Sequence, residues 1–287
     1  MPPEAPSLSF QSTLSQLLGF LALTLSWGIP LPSKAAAQAA PLPLESGIQK
    51  QVSAPAPAPL VKWLQEQIEA ANRRDLEEVM AGYSPDFRHR DGLDRQGVER
   101  AIRKLWEAHP QLTYAAEILS WRRLGPEIVA EIASQVQGSQ SSARGEFQVQ
   151  ASALVRNRYR PNAAKPEQLL LVEQEVLREA STLTSGSAPP TVTFRLPEVV
   201  KPGSPYSLQA IVAEPLAQSL LLGAVEEQPV AAAGYLDLTS FALEPLQAGG
   251  LFLQADAPPE AGARWLSVML VNQSGLVVES RRLVIQP

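Results

Sequence analysis

The residues of this chain that could do chemistry are few, and the most suggestive lie close together. In Phe87-Arg88-His89-Arg90-Asp91, His89 alternates with Phe87 and Asp91, a spacing that puts the three on one face of a strand. An imidazole beside a carboxylate has the makings of a general base near neutral pH, with Tyr83 or Tyr114 as hydrogen-bond donor. Arg88 and Arg90 flank the pair, and the loop-like surroundings favour solvent, which argues instead for a surface or structural role. A second constellation is Arg156-x-Arg158-x-Arg160, three guanidinium groups on one strand face. It reads either as an anion site for phosphate, sulfate or an acidic glycan, or as cross-strand pairing with Glu173 and Glu175 or Glu127 and Glu131. Pairing is the simpler reading. His109, just before Pro110, is placed where a helix C-terminus would favour a cation.

Several chemistries are excluded by composition. The chain has no cysteine, so disulfides, thiolate metal sites and a cysteine nucleophile are all ruled out. Two histidines without cysteine do not make a common zinc site. No Gly-rich phosphate loop and no Gly-x-Ser-x-Gly elbow occurs. No metal and no cofactor is expected. The net charge of −5 argues against nucleic acid as a partner, because that affinity needs clustered Lys and Arg.

The elements that would hold these residues follow from periodicity. Val61, Leu64, Ile68 and Ala71 recur at helical spacing; Asp75 can cap a second helix carrying Leu76, Val79 and Met80. Tyr83-Ser84-Pro85-Asp86-Phe87 ends that helix. A third runs from about Arg95 to Ala108, with Val98, Ile102, Leu105 and Trp106 on its stripe. After Pro110 the period switches to two, and Leu112–Arg123, Glu127–Gln137, Gly145–Tyr159 and Gln168–Ala180 read as strands. Phe147, Val149, Ala151, Ala153 and Val155 share one face of the third strand; Gln148, Gln150 and Ser152 share the other. Ser181–Pro190 reads as a boundary, and about seven short strands separated by turns follow it. Residues 60–183 are thus one domain and residues 190–287 a second.

The N-terminal region has the marks of export. Leu14–Ile29 is apolar, too short and too proline-bounded for a span, and the small residues of Ala35–Ala40 allow cleavage after Ala37 or Ala39. Residues 1–13 hold Glu4 and no Lys or Arg, which is atypical of a signal peptide, so a retained N-terminal anchor is the alternative. Residues 41–59, with alternating Ala and Pro, read as an extended spacer. The expected location is the periplasm or another extracytoplasmic compartment of a bacterium.

The helix–helix–Tyr83-Ser84-Pro85-Asp86-Phe87–helix–four-strand order, with Ala71, Asp75, Asp91-Gly92 and the Val98–Trp106 helix, resembles the nuclear transport factor 2-like superfamily and its SnoaL-like and ketosteroid-isomerase-like members. The resemblance implies an α+β cone, with three helices packed on a curved four-stranded antiparallel sheet around an apolar pocket. The residues that would line it are Trp106, Tyr114, Asn157 and Tyr159. Enzymes of that superfamily use a carboxylate or His on the strand after the second helix, and the matching positions here are His89 and Asp91, with Tyr83 near them. The superfamily also includes binding and assembly domains, so activity does not follow from fold. The last hundred residues resemble an all-β Ig-like sandwich without its Cys–Trp–Cys signature. The reading is therefore an exported, non-catalytic binding or assembly protein. Its partner would be an envelope protein or a small apolar ligand, and a homodimer could form through the sheet face. The alternative is a small-molecule isomerase or dehydratase acting in the cone.

Overall fold

The computed structural model describes residues 8–10, 55–142, 145–213, 220–233, 235, 239–246 and 249–287. Apart from Leu8–Phe10, the expected leader and residues 41–54 of the expected spacer lie outside the described residues; residues 55–59 are described, and the last two of them, Ala58 and Pro59, already belong to the first helix. Among the described residues, no helix is long and apolar enough to cross a membrane.

Three helices open the folded part: α1 (Ala58–Arg73), α2 (Leu76–Ala81) and α3 (Arg95–Ala108). Proline is tolerated at the start of α1, where the missing N–H would have had no partner. The helix buries Leu60, Trp63, Leu64, Gln67, Ala70 and Ala71 and ends at Arg74, which takes a left-handed conformation. Asp75 and Asp94 cap the other two helices, accepting from the N–H of Glu78 and of Gly97 (2.7 Å). Val98, Ala101, Ile102, Leu105 and Trp106 form the inner face of α3.

The Tyr83–Phe87 run does more than end α2. It begins a strand, β2 (Tyr83–His89), parallel to the start of β6. Tyr83, Phe87 and His89 point inward while Arg88 faces out. Four long strands follow as an antiparallel meander: β3 (Gln111–Leu124), β4 (Glu127–Ser142), β5 (Gly145–Pro161) and β6 (Leu169–Gly186). The apolar face of β5 is buried against the helices as its alternation requires. Ser152, expected on the outer polar face, is buried as well.

The sheet does not stop at four strands. β6 runs through the expected boundary as far as Gly186, and its second half pairs with β15 (Gly275–Ile285), from Ala180↔Arg281 to Gly186↔Gly275. Ser181–Ser185 looks like a linker in composition, but threonine and serine are tolerated in strands and Leu183 supplies a packing side chain. The break falls at Gly186, where φ is 101° and a Cβ would lie 2.3 Å from the Ser274 carbonyl oxygen. From β15 the sheet continues to β14 (Gly262–Asn272), β10 (Leu222–Pro229) and β12 (Glu244–Pro245), with β8 (Val199–Val200) parallel to the end of β15. The expected four-stranded sheet is thus part of a ten-stranded one shared by both halves of the chain.

A second sheet, β7 (Val192–Arg195), β9 (Pro205–Val212) and β13 (Gly250–Asp256), packs over β14 and β15 around Leu208, Leu266, Val268, Leu270 and Leu283. The opposite face of β14 and β15 is buried too. Met269 and Val278 pack there on Phe241 of β11 (Thr239–Phe241), which pairs with β1 (Leu8–Phe10). On this face Trp265 and Tyr235 join the helix-side core.

Candidate functional site

His89 and Asp91 are brought together, in surroundings the sequence did not suggest. The chain turns sharply after β2: His89 N–H bonds to the Leu93 carbonyl (2.8 Å) and Gly92 N–H to the His89 carbonyl (2.9 Å), with Gly92 at φ 92°. Asp91 N–H donates to His89 Nδ1 at 3.2 Å, and the Asp91 carboxylate lies 3.5 Å from the same nitrogen. The His89 side chain is wholly buried. Burial pushes its pKa down to about 4; Asp91 works against this and the Arg282 charge adds to it. At neutral pH the ring is therefore uncharged, with Nδ1 as acceptor.

The C-terminal half completes the cluster. Arg282 of β15 grips Asp91 with both terminal nitrogens, Nη2 to Oδ1 and Nη1 to Oδ2 (3.0 Å). Its Nη1 also lies 3.6 Å from Oε2 of Glu179 on β6. Trp265, directly across from Arg282 in the β14–β15 ladder, donates Nε1–H to the same Glu179 oxygen at 3.0 Å. Tyr235 hydroxyl donates to Asp91 Oδ2 at 3.4 Å, and its ring meets Trp265 and His89 edge-on. Burial raises Glu179 to about 8, more than the partial attraction of Arg282 offsets, because the guanidinium is committed to Asp91. The Tyr235 phenol is also pushed up by burial and by the neighbouring carboxylates. Near pH 7 the cluster thus pairs the Arg282 cation with the Asp91 carboxylate, and it is nearly neutral as a whole. A general base must reach the proton it removes. Here base and carboxylate are both covered, and what the arrangement does is tie the β2 turn to β6, β14 and β15.

The four residues expected to line a pocket fall into two hydrogen-bonded sets within the core. Trp106 Nε1 donates to Tyr114 hydroxyl at 2.7 Å, and Asn72 brackets the Tyr114 backbone, accepting from its N–H at 2.9 Å. Gln174 donates to Asn157 (2.9 Å), which donates to Tyr159 hydroxyl (2.9 Å), while Trp63 sits edge-on to the Tyr159 ring at 4.8 Å. Their polar atoms are thus spent on one another, and burial raises both phenols well above the ordinary tyrosine value. Tyr83 packs edge-on against Phe87, also buried and also raised.

The arginine triad faces carboxylates. Arg156 bonds to Glu131 (3.0 Å) and Glu175 (3.0 Å), Arg158 to Glu127 and Glu173 (2.6 Å), and Arg160 to Asp86 (2.6 Å). His109 sits where expected, as the C-cap of α3, but not in the expected charge state. It is buried, neither ring nitrogen has a hydrogen-bond partner among the described residues, and burial lowers it to about 4. It is therefore a neutral core residue and cannot act as a cation on the helix dipole.

Glu179, Tyr235, Trp265 and Arg282 were missed in the sequence. The sequence offered little signal, because Glu179 follows Glu173, Glu175 and Arg178 in β6 and Arg282 follows Glu279 and Arg281 in β15, so neither stands out from its charged neighbours. Among the described residues, no group of three or more His, Asp or Glu is arranged to hold a metal ion.

Residues 187–286 match a family model described as a domain of unknown function, DUF8623. No curated protein matches the chain. Solved structures similar to part of it include a conserved protein from Planctomyces limnophilus DSM 3776, with 9% identity over 41% of this chain and 91% of that chain and a TM-score of 0.36. Another is hexachlorocyclohexane dehydrochlorinase LinA-type3 from Novosphingobium barchaimii LL02, with 10% identity over 42% and 83% and a TM-score of 0.35. A third is Aln2 from a Streptomyces species, with 12% identity over 42% and 91% and a TM-score of 0.34. At these values the likeness carries no statement about activity.

Proposed function

We propose that this protein is an exported, non-catalytic binding or assembly protein of a bacterial envelope. In this reading a cone of the nuclear transport factor 2-like type and an Ig-like module act together as one rigid unit. The observation that carries it is the sealing of the candidate acid–base pair: His89 and Asp91 are covered by Arg282 and Tyr235 from the other half of the chain. The mutual hydrogen bonding of the pocket candidates supports the same reading. The apolar run before Pro30 and the small residues of Ala35–Ala40 support export.

The test is a thermal-shift screen of the whole chain against metabolites and lipids, with His89→Ala alongside. A binding protein of this kind shows no small molecule whose stabilisation depends on His89. A compound that raises Tm by more than about 3 °C in the parent and not in the variant would place a ligand at His89, since a ligand stabilises the state that binds it, and turnover of that compound by the parent would then favour the isomerase or dehydratase alternative. Export is checked by N-terminal sequencing of protein recovered from the envelope fraction. Cleavage after Ala37 or Ala39 gives a first residue of Gln38 or Ala40, and a chain still beginning at Met1 would mean a retained anchor.

A further inference from the structure

Several arginines near this end of the sheet are matched by carboxylates: Arg90 by Glu173, Arg158 by Glu127 and Glu173, Arg160 by Asp86. Two neighbours are not. Among the described residues neither Arg88 nor Arg95 has a carboxylate within ion-pair distance. Each is held instead by a backbone carbonyl, Arg88 Nη1 donating to Phe87 (3.0 Å) and Arg95 Nη2 to Met80 (2.8 Å). A carbonyl orients a guanidinium without cancelling its charge, so both stay cationic and partly fixed. Glu173, which sits across from Arg88 in the β2–β6 pairing, is already taken by Arg90 and Arg158.

Both arginines line the same open cleft, of about 610 Å³, between α2, β2 and the start of α3. Met80, Pro85 and Leu170 give it an apolar wall, and Asn162 adds an amide whose oxygen is occupied by the N–H of Ala164. The countercharge on the lining is Asp94, and its Oδ1 is committed to capping α3 through Gly97 N–H. Two cations against one anion leave the cleft positive in a chain whose net charge is −5. Arginine matches the planar carboxylate with paired N–H groups, and the apolar wall suits a short hydrocarbon body.

We propose that this cleft binds a small organic carboxylate, its anionic head between Arg88 and Arg95 and its body on Met80, Pro85 and Leu170. The site lies outside the His89 cluster and does not rest on the assembly reading; stabilisation through it survives His89→Ala, which separates the two.

The test is calorimetric titration of the full chain with hexanoate, hexanol and inorganic phosphate, repeated on Arg88→Gln and Arg95→Gln. Arg95→Gln loses its bond to Met80, so circular dichroism checks its folding, and Arg88→Gln carries the test if that variant unfolds. The expected result is saturable hexanoate binding, weakened about tenfold or more in either variant, as loss of a charge-assisted hydrogen bond requires. Neither hexanol nor phosphate should match it. No hexanoate binding up to about 10 mM, where even a millimolar site would be nearly saturated, overturns the proposal. So does equal binding of hexanol or phosphate, or hexanoate binding unchanged in both variants.

Discussion

Replacing Arg282 with methionine removes the charge that holds the junction together while keeping much of its volume. The guanidinium is almost fully buried, it grips Asp91 with two nitrogens, and it also faces Glu179. Removing one partner of such a pair strands the other, a cost of about 3–5 kcal/mol. The ceiling is set by the escape route of taking up a proton, which for an ordinary carboxyl at pH 7 costs about 4 kcal/mol. With a urea slope of about 2 kcal/mol/M, a loss of about 3–4 kcal/mol lowers the midpoint by roughly 1.5–2 M. The assay is urea unfolding followed by far-ultraviolet circular dichroism and by tryptophan fluorescence, since Trp265 lies within the cluster. Asp91→Asn and the double variant complete a cycle, in which the double change costs less than the sum of the singles by about 1–3 kcal/mol. A loss below about 1 kcal/mol for Arg282→Met, or strict additivity, would refute the idea that this pair fastens the two halves.

Stability should peak near pH 6.5. Unfolded histidines take up protons from about 6.5 downward, whereas buried His89 and His109 refuse them until about 4, so stability falls as pH drops through that window. Glu179 works in the opposite direction: its ordinary value is 4.5, it keeps its proton to about 8 when folded, and stability falls as pH rises between the two. Two histidines outweigh Glu179 on the acid side, and toward higher pH the buried carboxyls Glu179 and Glu279, both raised by burial, set the decline; Glu179→Gln should flatten most of it between pH 6.5 and 8 in a pH series of urea midpoints. Asp94→Ala should cost about 1 kcal/mol through loss of the α3 cap, and Asp94→Asn much less, as measured by thermal unfolding. Arg156→Met should cost no more than about 1 kcal/mol, shrinking further in high salt, because its ion pairs lie on a solvated face.

The helices were legible because α1 and α3 bury single stripes, and the 3.6-residue period of Val98, Ile102 and Leu105 admits no other element. The β5 alternation was equally plain. The junction was not. Ser181–Gly186 carries turn-forming residue types, and composition does not reveal that β15 offers it a backbone partner almost a hundred residues away. β14 and β15 are buried on both faces, which erases the alternation that tells one side of a strand from the other. Nothing in the sequence therefore sets Arg282 and Glu179 apart from ordinary solvated charges. The spacing of His89 and Asp91 identified a real pair, but spacing says nothing about what covers it.

The strand that crosses between the halves also bears on how this protein can be cut. The family match begins at residue 187, one residue past the end of β6. A fragment beginning there would leave the backbone of Gly275–Arg281 without its neighbour along that edge, and it would lose the Glu179 to which Trp265 donates. Such an open edge next to apolar residues templates pairing with other chains. Truncation at the family boundary should therefore yield self-association, and restoring residues 169–186 alone would only move the open edge to the side of β6 that β5 covers from Phe147↔Ser185 to Pro161↔Leu169, so the helices and β2–β5 have to be kept with it.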